Sequence, residues 1–368
     1  MEGIEGYRER VRGTLLGGAV GDALGWPVEF LQLPQIHEQY GPAGITGFEP
    51  PEHRSRSGRI DDRPGDVTDD TQMTLFSAEG LIRARLAGGP DGVGPALHAA
   101  YRRWFLTQQQ DAPDAGPLPA PYDGWLLRQP FLYARRAPGR ACWSGLEDHP
   151  AYRAAVPFGQ AGPVNGHSKG CGTVMRSAPF GLLRLGPLWS FELAGRCAQI
   201  THGHPTGYLA AGAFAALVDR LTSGQPLRAA VADTLAQVEQ WPQSEETATA
   251  LRRATALAAE EPSQDVVERV GLGWIAEECL AIAVYAALVA ERVGVRGALL
   301  LSVNHSGDSD SVGAVCGNLL GAAYGLAALP GEWVAAVEGR DVVLRVADDV
   351  VDLFGGVGSE LDGRYPTG

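Results

Sequence analysis

Glycine recurs every four residues at two places: Gly13, Gly17, Gly21 and Gly25 near the start of the chain, and Gly313, Gly317, Gly321 and Gly325 near its end. On an α-helix a four-residue step returns to nearly the same face, so each set forms a groove without side chains into which another backbone can settle. Each glycine costs about 0.8–1 kcal/mol of helix propensity relative to alanine, and close packing has to offset that cost. The spacing predicts two central, buried helices lying near each other, although they come from opposite ends of the chain.

Apolar residues at three- and four-residue steps predict further helices over 71–87, 92–108, 175–185, 189–201, 206–222, 226–240, 246–260, 273–292 and 338–354. The strand-like run Val342 to Leu344 lies inside the last of these. Pro and Gly gather in 41–66, 110–122 and 137–167, which are long for plain connectors and read as functional loops. No linker separates two cores, so the expectation is one compact, all-α, multi-helix domain over residues 1–368. A hydrophobic content of 45% is enough for a large core.

Charge narrows the partners. Thirty Lys plus Arg against 43 Asp plus Glu leave a net charge of −13, which argues against general nucleic-acid binding. Lys169 is the single lysine. Five cysteines without a C-x-x-C pair signal neither a disulfide framework nor a structural zinc site, and reduced cytoplasmic thiols are expected. Residues 1–13 lack the apolar run of a signal peptide. The uncharged stretch 311–331 carries five glycines and no basic flank, so a membrane span is not expected either. Oligomeric state is left open.

The strongest chemical signal is acidic. Asp66-Val67-Thr68-Asp69-Asp70-Thr71-Gln72 precedes one helix, and Ser306-Gly307-Asp308-Ser309-Asp310-Ser311 precedes the second glycine helix. Asp69 with Gln72 fits a capping box, and capping explains one acid in each cluster but not the others. Glu29, beyond the first glycine helix, adds another. Four or five carboxylates in one pocket repel strongly unless protonated or neutralised by cations. Two divalent ions neutralise four carboxylates, and an all-oxygen donor set suits Mg²⁺ or Mn²⁺ better than zinc. A carboxylate can bridge two metals about 3.5–4 Å apart and hold an activated water, which points to hydrolysis.

These residues resemble the ADP-ribosylglycohydrolase family. The likeness is carried by G-T-L-L-G-G-A-V-G-D-A-L-G-W-P-V-E-F at 13–30, T-D-D-T-Q-M-T-L at 68–75, G-C-G-T-V-M-R-S-A-P-F-G-L at 170–182, T-H-G-H-P at 201–205 and G-D-S-D-S at 307–311. It implies a compact all-α fold with a binuclear magnesium centre. Thr68, Asp69 and Asp70 then stand as the first ligand set and Asp308, Asp310 and Ser311 as the second, with Asp310 as a bridging carboxylate. Glu29 matches an acid beside the metals that gates the cleft or helps proton transfer. The implied reaction is hydrolysis of the bond between ADP-ribose and an acceptor: a protein side chain, a nucleic-acid base or a small molecule. Glu29, Asp308 or Asp310 would manage the proton. A non-catalytic ADP-ribose reader and a hydrolase of another nucleotide-sugar bond are the alternatives. Two departures stand out: Ser311 replaces threonine, and Cys171 replaces the asparagine of G-N-G-x-x-M-R, which bears on substrate preference.

The segment Asn165 to Gly172 is glycine-rich and opens a predicted helix near Thr173, so its N–H groups can receive a diphosphate. With the resemblance, Gly170, Cys171, Gly172 and Thr173 are expected at ADP-ribose. Lys169 reads equally as a point charge for a phosphate or as a solvated loop lysine. By resemblance His202 faces the cleft, whereas His204 is structural and Arg176 anchors the loop. Trp26, Trp125 and Trp143 offer faces for adenine or simply fill core.

Overall fold

The computed structural model describes residues 3–50, 62–89, 92–114, 116, 120–356, 361 and 363–367. Along the chain run α1 (Ile4–Gly25), α2 (Leu33–Tyr40), α3 (Asp69–Leu86), α4 (Val93–Thr107), α5 (Arg140–Glu147), α6 (Pro187–Ala198), α7 (Pro205–Thr222), α8 (Leu227–Val238), α9 (Glu245–Leu257), α10 (Gln264–Val270), α11 (Ala276–Val303), α12 (Ser309–Tyr324), α13 (Gly331–Ala336) and α14 (Arg340–Phe354). No β-strand occurs among the described residues; Gly170 and Ile275 form an isolated bridge. The fold is all-α. No described helix is long and apolar enough to cross a membrane.

The two glycine stripes meet. Helices α1 and α12 run antiparallel in direct contact, and a Cβ added to Gly17, Gly21 or Gly25 would collide with the carbonyl of Gly317, Gly313 or Ser309 respectively. Gly313, Gly317 and Gly321 would in turn strike the carbonyls of Gly21, Gly17 and Gly13. Across the same seam Asn318 Nδ2 donates to Thr14 O at 2.7 Å. Around the pair, α14 and α3 pack on α1, while α11 and α7 pack on α12.

Most of the expected helices form, with shifted ends. Residues 175–185 do not: Ala178–Leu182 is a 3₁₀ turn. Pro179 has no N–H to give, and Gly181 lies against Ala215 O, where a regular helix bearing side chains would not fit. The helix expected over 273–292 continues to Val303, but Gly294 (φ 75°, ψ 165°) breaks α11 into two end-to-end pieces. The run Val342 to Leu344 is helical, because Val343, Val346, Ala347, Val350 and Val351 bury one α14 face at helical spacing. Helices α2, α5, α10 and α13 were not expected; α5 lies inside the 137–167 connector.

The seam decides where the chemistry sits. Gly25, the last residue of α1, abuts Ser309 and Asp310 at the start of α12. The turn Trp26–Val28 and Glu29 therefore emerge beside the α12 N-terminus.

Candidate active site

Thr68 is the N-cap of α3, its Oγ1 accepting from Asp70 N at 3.3 Å. The Asp69–Gln72 capping box expected from sequence does not form; Gln72 Nε2 instead donates to Ala134 O at 2.8 Å. With a threonine as the cap, Asp69 and Asp70 are both released toward the cleft. The α3 N-terminus is held from behind by Asp22 of α1, whose carboxylate accepts from Thr68 N at 3.0 Å, Thr71 N at 3.0 Å and Thr71 Oγ1 at 2.5 Å. Burial nevertheless raises the Asp22 pKa to about 6. Arg136 braces the approach to Thr68, donating to Val67 O at 2.7 Å, Asp66 Oδ2 at 2.8 Å and Glu338 Oε2 at 2.6 Å. Gly139 N donates to Asp69 Oδ2 at 3.2 Å.

The α12 cluster is organised differently. Asp308 caps its own helix, accepting from Ser311 N at 3.4 Å, and Asp310 Oδ1 accepts from the same N–H at 2.9 Å. The loop before α12 is anchored by Asp308 N donating to Leu272 O at 2.9 Å and Ser306 N donating to Glu268 Oε1 at 2.6 Å. On the cleft side the Cys171 thiol donates to Asp308 Oδ2 at 2.6 Å, while Ser311 Oγ lies 3.8 Å from Met175 Sδ.

Both clusters and Glu29 line one cleft of about 860 Å³. One carboxylate oxygen each from Glu29, Asp308 and Asp310 lies within 4.8 Å of the other two. Glu29 is 6% exposed and Asp70 2%, yet Glu29 Oε2 and Asp70 Oδ1 have no hydrogen-bond partner. Burial, reinforced by repulsion from Asp22 and Asp308, pushes Asp69 up to about 8. Burial and the neighbouring carboxylates hold Glu29, Asp70 and Asp310 well above the usual carboxylate range. Orphaned buried oxygens on mutually repelling acids are what a cation resolves, and carboxylate and hydroxyl donors fit a hard divalent ion.

The opposite wall is the 165–172 loop. Lys169 O accepts from Ala276 N at 2.8 Å and Cys171 N donates to Trp274 O at 3.2 Å, stitching the loop to the start of α11. His202 floors the cleft, its pKa lowered to about 3 by burial and by Arg176, so the ring is neutral. Arg176 Nη2 donates to Thr201 Oγ1 at 2.7 Å, and Thr201 Oγ1 lies 2.8 Å from His202 Nδ1. The threonine proton is best satisfied on Nδ1, which leaves the ring proton on Nε2. That nitrogen sits under Gly170 and Gly172, where added Cβ atoms would stand 3.4 and 3.3 Å from it.

A model of the family described as ADP-ribosylglycohydrolase matches residues 4–360. The chain belongs to the ADP-ribosylglycohydrolase family. Similar proteins include an uncharacterised protein of Archaeoglobus fulgidus, 27% identical over 94% of this chain and 97% of its own length. The ADP-ribosyl-(dinitrogen reductase) glycohydrolase of Rhodospirillum rubrum is 25% identical over 90% of each chain. The ADP-ribosylarginine hydrolase Tri1 of Pseudomonas putida is 24% identical over 94% of this chain and 78% of that one. A solved structure described as an ADP-ribosylglycohydrolase-related protein complex matches with a TM-score of 0.65 at 26% identity, covering 95% of this chain and 99% of that chain.

Within this family member, the structure brings Glu29, Asp69, Asp70, Asp308, Asp310, Ser311, Gly170, Cys171, Gly172 and His202 to the cleft. It does not bring the other three expected residues there. Lys169 turns away, its Nζ paired with Glu246 Oε2 at 2.8 Å and with Glu277. Thr173 is fully buried and donates to Gly207 O at 2.8 Å. Thr68 lies behind the cleft surface, its hydroxyl 3.3 Å from Asp70 Oδ2. Of the tryptophans, Trp26 lines the cleft under Arg136 and Trp143 lies under Arg135, whereas Trp125 packs on Tyr365. His204 caps α7, its Nδ1 accepting from Thr206 N. Sequence reading missed Asp22, although it is the only charged residue between Gly13 and Val28. It also missed the rim pair Phe30 and Trp274, stacked at 5.9 Å and 51% and 40% exposed.

Proposed function

We propose that this chain hydrolyses the glycosidic bond at the anomeric carbon of ADP-ribose, with two Mg²⁺ or Mn²⁺ ions held by Asp69, Asp70, Asp308 and Asp310 together with the Ser311 hydroxyl. The observation that carries the reading is the convergence of five buried carboxylates on one cleft, two of them with orphaned oxygens. Bound ions would supply charge neutralisation and Lewis acidity toward ribose hydroxyls and water. Glu29 is the proton-handling candidate, because it lies buried in the cleft beside Asp308 and Asp310 with one carboxylate oxygen unpartnered. His202 offers Nε2–H to an anionic oxygen of the ligand, and the bare Gly170 and Gly172 backbone lets that ligand approach. Trp274, 40% exposed at the rim of the cleft, offers aromatic surface where a guanidinium acceptor can lie. The names of two similar proteins support the reaction, and one of them, an ADP-ribosylarginine hydrolase, supports an arginine acceptor. The contiguous core supports reading the chain as one domain.

Incubation with ADP-ribosyl-arginine, -serine and -thymidine conjugates tests this, with free ADP-ribose as the readout. Release from the arginine conjugate in Mg²⁺ and its loss in chelator are expected. Absence of release from all three in either ion would overturn the reading.

A further inference from the structure

Cys171 is the one described cysteine that is not buried. Its backbone is fixed by the bond to Trp274 O and by the neighbouring Gly170–Ile275 bridge, and its thiol reaches the acidic centre directly. Sγ lies 2.6 Å from Asp308 Oδ2 and 3.7 Å from Ser311 Oγ. Asp308 belongs to the trio with Glu29 and Asp310, and Glu29 Oε2 in that trio is buried without a partner, an independent mark of a cation site. Met175, which also lines the cleft, places a thioether 3.8 Å from the same serine hydroxyl. One side of the centre is thus oxygen and the other is sulfur.

We propose that Cys171 is a sulfur donor to the ion held at Asp308, so that this centre takes thiophilic divalent cations such as Cd²⁺, Zn²⁺ or Co²⁺ more tightly than an all-oxygen centre would. The inference rests on the metal reading given above. On coordination the S–H bond breaks, its proton passes to buffer, and a sulfur lone pair forms the S–metal bond with no change in oxidation state. In a tetrahedral zinc site a thiolate about 2.3 Å and a carboxylate oxygen about 2.0 Å from the ion stand about 3.5 Å apart. The present hydrogen bond therefore has to open by about 1 Å, a movement within reach of a rotation at the cysteine side chain.

The test compares the full chain with Cys171→Ser, Cys171→Asn and Cys279→Ser. Absorption of the Co²⁺-loaded proteins reads sulfur-to-cobalt charge transfer in the near ultraviolet, and calorimetry reads Cd²⁺ and Mg²⁺ affinity. A band is expected in the wild type and in Cys279→Ser, and neither Cys171 variant should show it. Cd²⁺ affinity should fall by at least about 100-fold in Cys171→Ser, because losing a ligand costs no less than losing a group that supports one, with Mg²⁺ affinity little changed. A band that survives in Cys171→Ser, or disappears only in Cys279→Ser, overturns the assignment. A wild type that takes up Co²⁺ and Mg²⁺ without a band overturns the sulfur inference alone, whereas uptake of neither ion overturns the metal reading and this inference with it.

Discussion

The acidic clusters at the starts of α3 and α12 face the same cleft but are positioned by different contacts. Asp22 and Gly139 hold the α3 cluster through hydrogen bonds, and Arg136 braces the segment that leads into it. The α12 cluster is tied mainly through the backbone that leads into it: Asp308 N donates to Leu272 O at 2.9 Å and Ser306 N to Glu268 Oε1 at 2.6 Å, while Gly25 presses on the Ser309 carbonyl and sets where the helix starts. Polar groups can hold a carboxylate by direction, while a seam without side chains holds one by distance. A centre shared by both requires each method to succeed.

The sharpest way to break the comparison is at the shared centre. Asp310→Asn should lower turnover by about 10³-fold, comparable to removing a principal transition-state contact, while circular dichroism and melting stay near wild type. Activity within tenfold of wild type would remove Asp310 from the chemistry. Next, Gly25→Ala should show that α12 is positioned sterically. Its Cβ meets backbone that cannot yield, so unfolding in urea should register a loss of about 1–3 kcal/mol together with weakened metal uptake. Asp22→Asn tests the polar clamp. Losing a charged acceptor for two N–H groups and a hydroxyl should cost about 1.5–3 kcal/mol, and a melt that does not move would deny the clamp its role.

A pH series sharpens the electrostatic side. Asp22 is held up to about 6 and Asp69 up to about 8, against about 4 for an ordinary aspartate. The folded chain therefore keeps protons that the unfolded chain has lost, and in chelator this contribution to stability should fall as pH rises from about 4 to about 8. Mg²⁺ should flatten or reverse that slope in thermal melts; an identical slope with and without it would contradict cation binding by these acids. The smallest effect is expected at Lys169. Its ion pairs with Glu246 and Glu277 are partly exposed, so Lys169→Ala should cost no more than about 1 kcal/mol and leave ADP-ribose affinity unchanged. A large loss of affinity would return Lys169 to the cleft.

How far the sequence revealed these features depended on how local their causes are. The glycine stripes and the acid clusters repeat or cluster within a few residues, so the paired helices and the carboxylate centre were readable in outline. Asp22 was equally visible as the one charge in the apolar run from Gly13 to Val28, yet its meaning depends on Thr68 and Thr71, which only folding brings to it. The direction of Lys169 could not be read, because it follows from Lys169 O being tied to Ala276, more than a hundred residues away in sequence. The same holds for Thr173, turned toward Gly207, and for Trp274, which reaches Phe30 across the cleft mouth. Helix α5 was hidden by the Pro- and Gly-rich stretch around it.

The glycine seam also limits how α12 can slide. Because bumps and hollows repeat every four residues on both helices, the pair can settle only in steps of four residues, and one such step moves α12 about 6 Å along α1. That is farther than the 4.8 Å that spans the Glu29, Asp308 and Asp310 oxygens. Small slips are blocked by backbone collisions and a full step dismantles the centre, so the seam works as a ratchet with one functional notch.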